Sequence, residues 1–120
     1  MKQWTAHTDG IKALMRTLRG DVPNVMKAFS SLAQAASMPQ ALDAKTKELI
    51  ALGISVAIRC DDCIGFHVKA ALDHGASREE IVEALGMAIY MGAGPSVMYA
   101  THALEAYEQF KPAAATNSVA

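Results

Sequence analysis

Long apolar runs, cysteine and an excess of one charge are all scarce in this chain, and each shortage excludes a class of protein. The longest apolar run, from Leu49 to Ile58, is interrupted by a glycine and a serine and is shorter than the ~20 residues of a membrane-spanning helix. The opening residues MKQWTAHTDG lack the apolar stretch of a secretory signal. Eleven basic and twelve acidic residues leave no basic stripe for nucleic acid. We therefore expect a cytoplasmic protein that binds neither membrane nor nucleic acid.

The only two cysteines, Cys60 and Cys63, lie three residues apart. Such a pair closes too small a loop to stabilise a fold in the way that disulfides stabilise small secreted domains. In a reducing compartment a C-x-x-C pair is redox-active or metal-binding. The pair therefore marks the candidate site.

Apolar side chains, by contrast, are abundant. They make up 52% of the 120 residues, against 19% charged, which is more apolar surface than a monomer of this size easily buries. The chain is long enough for one domain and too short for two. We expect a single domain over residues 1–110, a flexible tail over residues 111–120 and a surface for self-association.

The spacing of the apolar residues predicts an all-α protein of about six helices. Apolar stripes at spacings of three and four mark two helices before Met38, with Gly20 ending the first and Asp21 capping the second. Asp43 is placed to cap the third helix. Its apolar segment LIALGISVAI also permits a buried strand, but we favour a helix because the segment is long and no strand partner occurs.

Three further helices are predicted after the third. The fourth contains CDDCIGFHVKAALDHG, with the cysteines at its N-terminus and Gly75 just past its end. Ser77 and Glu80 have the spacing of a capping box that begins the fifth. The segment MGAGPS is expected to break the chain before a sixth helix from about Ser96 to Phe110.

His67 lies four residues after Cys63, on the same face of the fourth helix and one turn further along. Cysteines at i and i+3 of an ideal helix are too far apart for a disulfide, but a non-helical cap position for Cys60 lets the pair close. The same placement directs the positive end of the helix dipole at the thiols and favours the reactive thiolate. His67 can then act as a base toward Cys63.

A third group usually orients such a histidine, and Glu48 on the preceding helix is the candidate acid. If the chain turns at Cys60, Glu48 lies about 18 Å back along its helix and His67 about 10 Å forward, at about 1.5 Å per residue. An inclined helix crossing and a long glutamate side chain are needed to close that gap.

The stretch KELIALGISVAIRCDDCIGFHVKAALDHGASREEI, followed by GAGPSVMYATHALEA, resembles the AhpD-like alkylhydroperoxidases of the carboxymuconolactone decarboxylase superfamily. The resemblance covers roughly Asp43 to Glu108, and it places Glu48, Cys60, Cys63 and His67 at that family's spacing. It implies a helical fold and assembly as trimers or hexamers.

In that family the second cysteine of the pair attacks peroxide and the first resolves the product into a disulfide. The resemblance therefore implies that Cys63 is peroxidatic, that Cys60 is resolving and that Glu48 and His67 form the proton relay. The implied activity is a thiol-dependent peroxidase that uses a hydroperoxide and an external dithiol or thiol-protein reductant. We expect no metal and no cofactor.

Asp62 is a departure from the family pattern. The best-characterised members carry a histidine just before the second cysteine. An acid at that position is expected to raise the pKa of the thiols and to weaken peroxide attack, unless its charge serves mainly to cap the helix.

Other functions stay open on the sequence alone. The dithiol could serve as a disulfide reductase, or as a redox-responsive binding or adaptor element of a helical oligomer. Cys60, Cys63 and His67 could supply three zinc ligands, although no second C-x-x-C closes a structural site. A carboxymuconolactone-type decarboxylase is weaker still, since that branch generally lacks the cysteine pair. A thioredoxin-like fold is disfavoured because the alternating βαβ pattern is missing.

The remaining histidines are expected to be structural. We predict that His7 and His74 lie at the surface. His102, beside Tyr99 on an otherwise apolar final helix, is expected to be packed and hydrogen-bonded, with a pocket or a subunit contact as the alternative.

Overall fold

The computed structural model describes residues 1–112 and contains five α-helices and no β-strand in that range. These are α1 (Trp4–Asp21), α2 (Pro23–Ser37), α3 (Ala44–Ala57), α4 (Asp61–Asp73) and α5 (Arg78–Phe110). The predicted all-α class is confirmed, and the ambiguous apolar segment LIALGISVAI is helical up to the C-cap of α3. Most of the predicted tail, residues 113–120, lies outside the described residues.

α5 spans both the fifth and the sixth predicted helix, and the two meet at a kink in the segment MGAGPS, where a break is expected. Only Ala93 leaves the helical conformation, with φ 56° and ψ −141°. Pro95 follows within the same turn, and a proline inside a helix removes one backbone hydrogen bond and bends the axis. The predicted break is therefore confirmed at Ala93, where the helical backbone is interrupted between two helical halves.

The predicted helix ends are confirmed where a local signal marks them. The Asp43 side chain accepts a hydrogen bond from the backbone N–H of Thr46 at 2.8 Å. Ser77 and Glu80 form both halves of a capping box. Gly75 adopts a left-handed φ of 87° in the position that favours glycine after a helix.

The boundary between the first two helices is different from the prediction. α1 continues through Gly20 and ends at Asp21, and Val22 rather than Asp21 stands at the N-cap of α2. No side chain caps α2, but Pro23 occupies its first position, where the missing N–H costs nothing. A proline in the first turn is therefore the signal that begins this helix.

The core lies between α3, α4 and α5. Its fully buried side chains come from all three helices: Leu52, Val56, Ile64, Val68, Ala71, Ile81 and Ala103. α1 adds one large side chain, Trp4, which is 1% exposed. The Trp4 ring packs directly on Gly65, since a Cβ atom there would lie 3.0 Å from the ring. This contact fixes the start of α1 against the start of α4.

α5 is long and apolar enough to cross a membrane by length and composition alone. One face of it is buried among the other helices of the core through Ile81, Leu85, Ala88, Ala100 and Ala103. A central core helix passes the same test of length and composition. Of the 18 most apolar consecutive residues of α5, 22% are buried in the single chain, so the helix packs on the core by one face and exposes the rest.

The apolar stripe of α2 is helical as predicted but is not covered. None of the fifteen residues of α2 is buried, and Val25, Phe29 and Leu32 are 66%, 56% and 62% exposed. On α1, Leu14 is also 67% exposed. The apolar surplus of the composition therefore lies largely on the outside of a single chain.

Candidate functional site

A tight reversal between α3 and α4 sets the position of Cys60. Arg59 adopts a left-handed φ of 62°, its N–H donates to the carbonyl of Val56 and the N–H of Cys60 donates to the carbonyl of Ser55. These two bonds form a Schellman motif. Cys60 therefore takes part in the C-terminal cap of α3 and is also the N-cap residue of α4.

Cys60 and Cys63 form a disulfide, with Cα atoms 5.2 Å apart. Cys60 has extended backbone angles, φ −110° and ψ 96°, and its sulfur accepts from the backbone N–H of Cys63 at 3.1 Å. The predicted non-helical cap position is therefore the one that lets the pair close. Both cysteines are partly exposed, and the N-terminal end of the α4 dipole faces their sulfur atoms, which favours a thiolate once the bond is reduced.

Glu48 and His67 meet across the α3–α4 contact. Oε1 of Glu48 lies 2.6 Å from Nδ1 of His67, and the side chains are 15% and 36% exposed. A carboxylate oxygen can only accept, so Nδ1 carries the proton and Nε2 is left to exchange one with another group. The arrangement has the geometry of an acid that orients a histidine base.

A pocket of about 550 Å³ opens beside this pair, between α2 and α3. Glu48 and His67 line this pocket. Most of its remaining wall is apolar and is formed by Ala33, Leu42, Ile50, Ala51 and Ile54. Lys47 holds the wall in place, since its Nζ donates to the carbonyls of Ala36 and Met38 at 2.9 and 2.7 Å. The pocket gives a small apolar molecule access to the histidine.

Asp61, the first acid between the cysteines, is held by a lysine and a histidine from outside α4. Nζ of Lys2 lies 2.9 Å from Oδ2, and Nδ1 of His102 lies 2.8 Å from Oδ1. Partial burial works to raise the pKa of Asp61, but the hydrogen bonds from His102 and Lys2 outweigh it and the pKa lies below its ordinary value. The predicted hydrogen-bonded environment of His102 is confirmed, with Tyr99 packed against its ring at 4.9 Å.

Asp62, the second acid, is paired with His7 of α1. Nε2 of His7 lies 2.5 Å from Oδ1 of Asp62. The prediction that His7 is a plain surface residue is therefore wrong, because its ring is 31% exposed and tied to the cysteine motif. The prediction for His74 is confirmed, since that residue is exposed.

Sequence reasoning therefore did not connect Lys2, His7 or His102 to this site. They lie between 41 and 59 positions from the acids that they bind, and no local spacing connects them. The one available signal for such contacts was the pair of acids in CDDC. Two carboxylates beside two thiols disfavour the thiolates unless other side chains bind those carboxylates.

Within residues 1–112 no three His, Cys, Asp or Glu side chains are arranged to hold a metal ion. In this form of the site both sulfur atoms are joined to each other. The geometry brings together a disulfide and, one helical turn further along α4, a hydrogen-bonded histidine–glutamate pair.

Comparisons with known proteins agree with this geometry. The model of the carboxymuconolactone decarboxylase family matches residues 23–106. The chain is 44% identical over 86 residues to an uncharacterised protein of Cupriavidus necator, covering 72% of this chain and 76% of that protein.

Two solved structures are also similar. A carboxymuconolactone decarboxylase family protein of Legionella pneumophila, solved in its apo form, has a TM-score of 0.88 and 50% identity, covering 92% of this chain and 98% of its own. A family protein of Thermotoga maritima, described as a candidate for a role in antioxidative response, has a TM-score of 0.73 and 37% identity, covering 81% and 86%. With the helical fold and the C-x-x-C-x-x-x-H site, these matches show that the chain belongs to the carboxymuconolactone decarboxylase family, as an AhpD-like member of that superfamily.

Proposed function

We propose that this protein is a thiol-dependent peroxidase whose reacting group is the thiolate of Cys63. The observation that carries the proposal is the Glu48–His67 pair one helical turn from the Cys60–Cys63 disulfide. A cysteine that alternates between thiolate and disulfide needs a nearby group to exchange protons with solvent and substrate. The description of the Thermotoga maritima relative as a candidate in antioxidative response supports the same class of chemistry.

The reaction starts from the reduced pair. The Cys63 thiolate attacks one peroxide oxygen, the O–O bond breaks, and the leaving alkoxide or hydroxide takes a proton that His67 can supply. Cys63 is then a sulfenic acid. The Cys60 sulfur attacks it, the S–O bond breaks with loss of water, and the disulfide forms. An external dithiol restores the two thiols by thiol–disulfide exchange.

The test is peroxide consumption by the parent chain, Cys63→Ser and Cys60→Ser, with a small dithiol as reductant. Cys63→Ser should consume no peroxide. Cys60→Ser should form one sulfenic acid per chain, at Cys63, which a sulfenic-acid trap labels. Absence of that label, or label at Cys60 in Cys63→Ser with full consumption, would reverse or remove the assigned roles.

A disulfide reductase or redox adaptor is the second candidate for the same site. It is favoured by the partial exposure of both cysteines, since a protein dithiol must reach one sulfur directly. The two functions differ in rate: a reductase exchanges quickly with a protein disulfide and slowly with peroxide. Rates of both reactions on one reduced sample separate them.

The working form is proposed to be a cytoplasmic homo-oligomer, a trimer or a hexamer. The uncovered apolar side chains of α1 and α2 support self-association, because large exposed apolar patches on soluble proteins mark interaction sites. A cytoplasmic setting would keep the external dithiol reduced.

A further inference from the structure

A second histidine–carboxylate pair lies at the cysteine motif, made of residues that the proposed relay does not use. Asp62, between the two cysteines, accepts a hydrogen bond from Nε2 of His7 at 2.5 Å. A carboxylate oxygen can only accept, so this ring nitrogen carries the proton. The two side chains are 48% and 31% exposed.

α1 is anchored so that His7 reaches this acid. The Trp4 indole N–H donates to Glu105 at 2.9 Å, and the Trp4 backbone N–H donates to Gln109 at 2.6 Å. His7 follows Trp4 by three residues and therefore lies on the same face of α1. The buried tryptophan directs the histidine at the start of α4.

The charge of Asp62 acts against the thiol chemistry of its neighbour. A carboxylate next to Cys63 disfavours the thiolate and offsets the positive end of the α4 dipole that favours it. A hydrogen-bond donor or a cation paired with the Asp62 carboxylate weakens the effect of its negative charge on the thiol. A thiol site with two acids between its cysteines therefore depends on what those acids contact.

Charged or titratable groups from the segments around α4 lie near its N-terminus, but only one of them binds Asp62. Asp62 has one described partner, His7. The other groups are engaged elsewhere or exposed: Lys2 and His102 bind Asp61, Glu48 binds His67, and Arg59 is exposed.

We propose that His7 is a positioning residue of the thiol site: it holds the Asp62 carboxylate in a hydrogen-bonded pair and so preserves the reactivity of the Cys63 thiolate. The role depends on the thiols and not on the identity of their oxidant, so it stands apart from the peroxidase assignment. Both side chains are partly exposed, and water screens their charges. Loss of His7 is therefore expected to lower the thiolate-dependent rate at neutral pH by about three- to tenfold.

The experiment measures alkylation of a single thiol by iodoacetamide across pH, in the full chain carrying Cys60→Ser. Serine is also a good N-cap residue, so α4 keeps its cap. In this background His7→Ala should slow alkylation of Cys63 near neutral pH and move the pH profile upward. Asp62→Asn should remove the effect of His7→Ala. His7→Lys should restore the rate, because a lysine can again donate a hydrogen bond to the Asp62 carboxylate.

The matched control is His74→Ala, which removes an exposed histidine at the other end of α4 and should leave the profile unchanged. Three results would overturn the proposal: an unchanged profile in His7→Ala, equal slowing by His7→Ala with Asp62→Asn present, or no recovery with His7→Lys. A purely structural role for His7 predicts the second and third of these. Because alkylation needs no peroxide, the proposed peroxidase can fail while this role holds.

Discussion

Nδ1 of His67 lies 2.6 Å from Oε1 of Glu48, although 19 positions separate the two residues in the chain. The contact joins α4 to α3 just beyond the reversal that carries the disulfide. If the helices ran side by side from that reversal, the two residues would be offset by about 8 Å along the axis. The 2.6 Å contact therefore shows that the two residues are closer than this side-by-side arrangement allows.

Glu48→Gln tests whether this contact has a catalytic consequence. General acid–base catalysis by a positioned side chain contributes about 10²- to 10⁴-fold, and His67→Ala should lose an effect of this size in the kcat/KM of peroxide reduction. Glu48→Gln keeps a similar shape but loses the negative charge, so it should lose part of that factor. Glu79→Gln, at an exposed position in the first turn of α5, is the matched control. Full activity in Glu48→Gln beside an inactive His67→Ala would restrict the relay to the histidine.

Gly65→Ala tests the packing that places α1 on the site. An added Cβ would lie 3.0 Å from both the Trp4 ring and the Thr8 methyl group, and overpacking of this kind costs about 1–3 kcal/mol. Gly10→Ala, which meets nothing within 4 Å, should instead stabilise the helix by about 0.5–1 kcal/mol. Denaturant unfolding followed by the fluorescence of Trp4, the single tryptophan, measures both. Equal stability of the two variants would show that the Trp4 contact relaxes without cost.

Local signals in the sequence predicted the helices and most of their ends. Asp43, Gly75 and the Ser77–Glu80 box each act within a few residues of their own helix, and for that reason spacing alone identifies them. Arg59 has no such signal, because the left-handed position after α3 usually selects glycine. The left-handed conformation of Arg59 in this reversal could therefore not be predicted from the sequence. The cap position of Cys60 could.

Contacts between distant segments set the limit of prediction at the site. Cys60, Cys63 and His67 were found from their spacing along one helix, whereas Glu48 was left open by helix geometry and was assigned through the family resemblance. The His7–Asp62 contact spans 55 positions. No periodicity encodes it, since it depends on how Trp4 seats α1 against α4.

Asp61→Asn tests the electrostatic anchoring of the cysteine motif in acid. The folded-state pKa of Asp61 is lowered, so this carboxylate stabilises the fold above its ordinary pKa of 3.8 and loses that contribution as the pH falls through the lower folded value. The stability difference between the parent chain and Asp61→Asn should be on the order of 1 kcal/mol near neutral pH and should vanish in stronger acid.

Unfolding free energies at several pH values measure this difference. Asp9→Asn, which replaces an exposed acid of α1, is the control and should show little difference at any pH. A difference for Asp61→Asn that stays constant into strong acid would mean that the substitution acts through packing and not through charge.

Phe29→Glu tests the proposed assembly through the uncovered face of α2. Phe29 is 56% exposed in the single chain, so a charge there should leave the monomer fold intact. In an assembled interface the same charge would lose its water, at a cost of several kcal/mol per ion, and each ~1.4 kcal/mol weakens association about tenfold. The variant should therefore shift to smaller species in light scattering coupled to size-exclusion chromatography. Gln34→Glu adds the same charge to α2 at an exposed polar position and should keep the parent mass. A monomeric parent chain, or an unchanged mass of the Phe29→Glu variant, would contradict the proposal that α2 contacts a second copy of the chain.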